Sequence, residues 1–153
     1  MFRSTTTVTR PDRDRLLEVT RAGGNALGWA LFVDELRREI GRARVVDRAR
    51  VPPDVVTMRS TVRTRDLGTG GVEVHTLVYP DEADPRSGKL SVLAPLGTAL
   101  LGTRAGDLVR VATGDGVRRL KVDAVLYQPE AAERRGVLGA SGEEAARGAA
   151  GDP

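Results

Sequence analysis

His75 is the single histidine of the 153-residue chain, and there is no cysteine. A Ser-His-Asp relay would have to be built on His75, and thiolate nucleophiles, disulfides and cysteinyl metal sites are excluded. His75 lies in VEVHTLVY (Val72 to Tyr79), whose alternation reads as a strand, so it is expected as a surface or interface strand residue and not as a catalytic base. Asp and Glu together number 21, but no HExxH and no acid-rich loop gathers them, so no metal site and no cofactor are expected. Two glycine loops remain. GTGG (Gly68 to Gly71) leads into a strand pattern, whereas a phosphate-cradling loop must lead into a helix. GTRAGD (Gly102 to Asp107) lacks the Lys-Ser/Thr ending of a phosphate-binding loop. Both read as turns. The chemistry-bearing residues do not assemble into a catalytic set, and the chain is expected not to be an enzyme.

The cationic residues point to surfaces. Lys and Arg number 24, of which only Lys89 and Lys121 are lysines, and the net charge is +3. Arg59, Arg63 and Arg65 recur at strand spacing without interleaved aromatics to stack bases, so they read as a solvated sheet face. Arg37, Arg38, Arg42, Arg44, Arg48 and Arg50 form a second basic stretch, whose nucleic-acid reading stands beside the simpler one of a solvated face. Direct sequence-specific nucleic-acid binding is not expected. No run of about 20 apolar residues exists, and MFRSTTTVTR lacks an apolar signal segment, so a cytoplasmic protein is expected.

Three regions position these residues. Residues 9–50 read as two helices. Thr9 caps the first, Pro11 sits in its opening turn, and Asp12 and Asp14 suit the positive end of its dipole. The first helix stops at the paired glycines of AGGN (Ala22 to Asn25). The second runs from about Ala26 to Ala43, with Trp29, Phe32, Val33, Leu36, Ile40 and Ala43 on one stripe. An antiparallel helical hairpin, a short coiled coil, is the expectation.

Residues 51–132 switch to a period of two. VTMRSTVRTRD predicts a strand from Val56, and Val72 to Tyr79 its return. Leu108 to Thr113 and Val117 to Tyr127 form a second hairpin around Gly114 to Gly116. SVLAPLGTALLG (Ser91 to Gly102) carries no charge. It predicts a strand end over Ser91 to Leu93, a turn at Ala94 and Pro95, and a short helix to Leu101. The class is α+β, an antiparallel sheet with one covering helix. Residues 133–153, rich in Gly and Ala, read as a disordered tail.

The strings VVTMRSTVRTRDL, TLVYPDEAD, LSVLAPLGTALLGTRAGD and VLYQPEAA resemble the C-terminal FKBP-like domain shared by Gre transcript-cleavage factors and the Rnk family, regulators of nucleoside diphosphate kinase. The likeness is nearest to Rnk in Tyr79-Pro80, in AP-x-G-x-ALLG and in YQPEAA. It implies a monomer bound to bacterial RNA polymerase at the secondary channel, with the globular domain on a coiled coil of the largest subunit and the hairpin pointing inward. The family contact falls here on Leu93, Ala94, Pro95 and Leu96, and the channel-facing tip on Gly23, Gly24 and Asn25.

In Gre factors the tip carries acidic residues that hold a catalytic magnesium ion. Here the tip, RAGGNALGWA (Arg21 to Ala30), has no Asp or Glu. The expected second helix, at roughly 27 Å, is about half the length in residues of its Gre counterpart. A regulator without transcript cleavage is therefore expected. The alternatives are an active Gre-type cleavage factor and an FKBP-like peptidyl-prolyl isomerase. The latter needs an aromatic-lined site, for which this domain offers only Tyr79 and Tyr127.

Overall fold

The computed structural model describes residues 5–23 and 30–136. Strand β1 (Thr7–Thr9) runs into helix α1 (Arg10–Gly23). The Thr9 hydroxyl accepts the Asp12 amide N–H at 3.3 Å, the cap that the sequence calls for. Helix α2 (Ala30–Arg42) follows and leads into β2 (Arg44–Val46). Gly23 closes α1, while Gly24, Asn25 and the expected helix start at Ala26 lie outside the described residues. The pairing of β1 with β2 is parallel, Thr7 opposite Arg44 and Thr9 opposite Val46, and was not expected.

The helices contact each other and bury Leu16, Val33, Leu36 and Ile40. Phe32, placed on the buried stripe by its spacing, is 38% exposed. Arginines around α2 have carboxylate partners: Arg37 with Asp34, Arg38 with Glu35 and Arg48 with Glu133 on the surface, and Arg42 with the buried Glu39. They form a solvated, ion-paired face, and such pairs add little stability each.

The second part is a five-stranded sheet in the order β5-β4-β3-β7-β6. Its members are β3 (Thr61–Asp66), β4 (Val72–Val78), β5 (Lys89–Ser91), β6 (Leu108–Thr113) and β7 (Gly116–Tyr127). Every pairing is antiparallel except β4 with β5, which is parallel, so the expected purely antiparallel sheet is corrected there. The strand expected from Val56 starts only at Thr61. Residues 57–60 form a tight turn in which Arg59 takes φ 67°, and the Ser60 N–H donates to the Thr57 carbonyl at 3.0 Å. Arg59 thereby leaves the row that Arg63 and Arg65 keep.

Helix α3 (Pro95–Leu100) covers the sheet, and helix α4 (Pro129–Arg134) follows β7. The sequence placed Glu133 and Arg134 in the tail, but they belong to α4. Gln128 caps it by accepting the Ala131 N–H, and its buried amide donates to the carbonyls of Pro52 and Val55 at 2.7 and 2.8 Å. One hydrophobic cluster joins Leu16, Val33 and Leu36 of the helices to Val62, Leu77, Leu120 and Val122 of the sheet.

Candidate docking site

The chargeless run from Ser91 to Gly102 folds as β5's last residue, a tight turn and α3. The Ser91 hydroxyl accepts the Leu93 N–H at 3.1 Å, and the Ser91 carbonyl accepts the Ala94 N–H at 3.0 Å. Pro95 then opens α3, where its missing N–H costs no intrahelical bond. Thr98 returns its hydroxyl to the Val92 carbonyl at 2.6 Å and ties helix to turn. Gly97 is required because a Cβ there would collide with the Ser91 carbonyl. Gly102, at φ 74°, ends the run where a Cβ would meet the backbone of Thr7 at 2.7 Å. Its carbonyl accepts the Thr7 N–H at 3.1 Å, so the run is also stitched to the N-terminal strand.

Among the four predicted contact residues the structure draws a division. Leu93 is 4% exposed and lies in the core, so its predicted place on an apolar edge is corrected. Its side chain follows Val92 beneath the turn and packs with Leu100 and Leu101, which are also buried. Pro95 is exposed, and Ala94 and Leu96 are half-buried, with Leu96 leaning on the core. The available edge is therefore Ala94, Pro95 and Leu96.

Pro95 stands at a cleft of about 460 Å³ between α2, α3 and the edge strand β6. Thr98 and Ala99 form one wall, residues 108–112 another, and Glu35 and Glu39 the third. Glu39 is buried, bonded to the Thr6 hydroxyl and paired with Arg42 at 2.8 Å. Among the described residues, no aromatic side chain lines this cleft. No local pattern marks it, because α2 and the edge strand β6 lie 66 or more residues apart in the chain and meet only through the fold.

A second constellation sits where α1 meets the sheet. Asp12 accepts the Met58 N–H at 3.1 Å. Burial, then the neighbouring Glu130 charge, pushes its carboxyl up from 3.8 to about 6. Glu130 itself accepts the Thr57 hydroxyl at 2.7 Å. The Arg15 guanidinium covers the Tyr79 ring at 4.0 Å and Arg59 approaches it at 5.6 Å. Arg59 is also forked onto Glu82, at 3.3 and 3.0 Å, which raises its guanidinium above its ordinary value. Burial pushes the Tyr79 hydroxyl up, with the Asp12 charge adding to it. Sequence reading missed this joint, although a Pro-led first turn with Asp12 and a Gln-Pro-Glu start to α4 were both visible.

His75 is half-buried in β4 with Nε2 3.5 Å from Glu73, and burial lowers its pKa. No group of three or more metal-ligating side chains occurs among the described residues. No described helix is long and apolar enough to cross a membrane.

Residues 51–127 match the family described as "Transcription elongation factor, GreA/GreB, C-term", and the chain belongs to that family. The chain is 45% identical over 102 residues to the regulator of nucleoside diphosphate kinase of Escherichia coli (strain K12), covering 66% of this chain and 75% of that protein. It is 35% identical over 88 residues to transcription elongation factor GreA of Clostridium botulinum (strain Eklund 17B / Type B), covering 58% of this chain and 55% of that one. The fold is similar to the GreA/GreB elongation factor structure from Nitrosomonas europaea, with TM-score 0.66 and 37% identity, over 81% of this chain and 99% of that one.

Proposed function

We propose that the chain is a regulator that docks on bacterial RNA polymerase at the secondary channel and does not cleave transcripts. The globular domain sits on the largest subunit's coiled coil through Ala94, Pro95 and Leu96, and α1 and α2 form an antiparallel hairpin directed inward. Family membership supports the partner, and the identity to a regulator of nucleoside diphosphate kinase supports the regulatory class. The observation that carries the non-catalytic reading is the short arm with an acid-free end. Helices of 14 and 13 residues span about 21 and 20 Å, and no carboxylate occurs from Arg21 to Ala30. An arm of that length with no magnesium-holding pair at its end blocks a channel without supplying chemistry to it.

The test uses stalled elongation complexes, with this protein alone and in competition with a Gre factor. Inhibition of Gre-dependent cleavage without intrinsic cleavage is expected. Cleavage by this protein alone means an active Gre-type factor and overturns the proposal, as does failure to co-purify with core polymerase at any salt from low to physiological.

A further inference from the structure

The sheet has two unlike faces. Val62, Leu77, Val109, Val111, Leu120 and Val122 point into the core, and α1, α2 and α3 send Leu16, Val33, Leu36 and Leu100 into the same cluster. The alternate positions make the opposite face. They carry Arg63 and Arg65 on β3, Arg119 and Lys121 on β7, Arg110 on β6 and Lys89 on β5, with Val72 and Val74 of β4 and Leu108 of β6 among them. Arg65, Arg110, Arg119 and Lys121 are exposed. Asp123 is the carboxylate among the strand positions of this face, held by Arg65 at 3.1 Å with Arg63 at 4.0 Å.

The register sharpens the pattern. Arg65 lies directly opposite Lys121, and Arg110 directly opposite Arg119. Like charges facing each other across a ladder destabilise a sheet. Two such pairs on adjoining ladders, with one carboxylate between them, are not what folding alone selects. Strand geometry spaces these cations about 4.8 Å apart across strands and about 6.8 Å along them. They occupy β3 and β7, the middle of the sheet. The core of a protein-binding surface is depleted of charge. Here the central strand β3 and its neighbour β7 carry the cations, with Val72 and Val74 of β4 beside them, which fits an extended polyanion.

We propose that this open face binds the phosphate backbone of nucleic acid without sequence preference, through Arg63, Arg65, Arg119, Lys121 and Arg110. Binding of this kind is electrostatic and releases counterions, so it weakens linearly in log K against log salt. It is separate from the Ala94–Leu96 edge, and its test contains no polymerase, so either reading can fail alone.

The full-length chain is titrated against fluorescein-labelled 20-nucleotide DNA, 20-nucleotide RNA and a 20-base-pair duplex, by anisotropy from 25 to 200 mM KCl. Binding at low salt with a negative salt slope is expected. Arg119→Ala/Lys121→Ala should weaken binding about tenfold at low salt and flatten the single-strand slope by about 1.4, two phosphates at about 0.7 each. Arg21→Ala/Arg38→Ala removes the same charge from the helices and should weaken it less than twofold. A urea midpoint at or above wild type for the face variant shows that it is folded. No binding at 25 mM salt in any arm, the result an acidic protein partner would give, overturns the proposal. So does an equal loss in the helix variant.

Discussion

Asp12→Asn tests the joint between α1 and the sheet by removing a charge while keeping an acceptor. In the wild type the half-buried carboxylate accepts the Met58 N–H at 3.1 Å, and its pKa stands at about 6 against 3.8. At about 1.4 kcal/mol per pH unit that difference is worth about 3 kcal/mol. The folded state holds this proton more tightly than the unfolded chain. Its contribution is therefore fully present below pH 3.8 and is lost as pH rises through 6. At pH 7.5 the ionised group opposes folding. Solvent screening of a carboxyl that is only partly buried reduces the net cost to about 1–2 kcal/mol. Asparagine presents an amide oxygen to Met58 and no charge to Glu130. The variant should be more stable than wild type by that amount at pH 7.5, about 2–8 °C in Tm, and match it at pH 4. Urea unfolding followed by circular dichroism at both pH values reads the gap directly. A gap that does not change with pH, or a variant less stable at pH 7.5, would refute the reasoning and place the weight on the charged hydrogen bond.

Two further substitutions separate core from surface. Leu93→Ala should cost about 2–5 kcal/mol in urea unfolding, as a buried leucine does, whereas Leu96→Ser should cost about 1 kcal/mol and weaken retention on core polymerase. Unchanged stability in Leu93→Ala would contradict its burial. At Arg59, held at φ 67°, Arg59→Gly should be more stable than Arg59→Ala by about 1 kcal/mol in the same assay, because only glycine adopts that backbone without a Cβ penalty. Equal midpoints would mean that the turn relaxes.

Much of the fold was legible because local rules and global packing agree. Thr9, Pro11 and Asp12 mark α1 as plainly in the sequence as in the hydrogen bond between them. Gly114 to Gly116 marks the β6–β7 hairpin, and Pro95 marks α3. What escaped depends on distant partners. Nothing local marks Thr7–Thr9 as a strand, which forms because Arg44–Val46 pairs with it. Arg59 continues a strand alternation, but the Thr57–Ser60 turn and the forked bond to Glu82 draw it into the left-handed region. Leu93 reads as an apolar contact residue by its match to the family's docking position, and the turn buries it because Gly97 lets the helix close on the Ser91 carbonyl. The sequence thus placed the turn and the short helix correctly, and packing decided which of their residues stay exposed.

That packing also bears on how a docked domain would act on a channel. Helices α1 and α2 share one hydrophobic cluster with the sheet, and the Gly102 carbonyl bonds the strand that leads into α1. The segment carrying the proposed polymerase contact therefore ends on the backbone that starts the arm. Between them lies no flexible spacer of the kind that would let the arm search. A contact at Ala94–Leu96 then fixes the direction of α1 and α2 through the core itself. In the proposed docked state, helix α2 contributes about 20 Å of length to the arm, and an occluding role would require only that it be aimed.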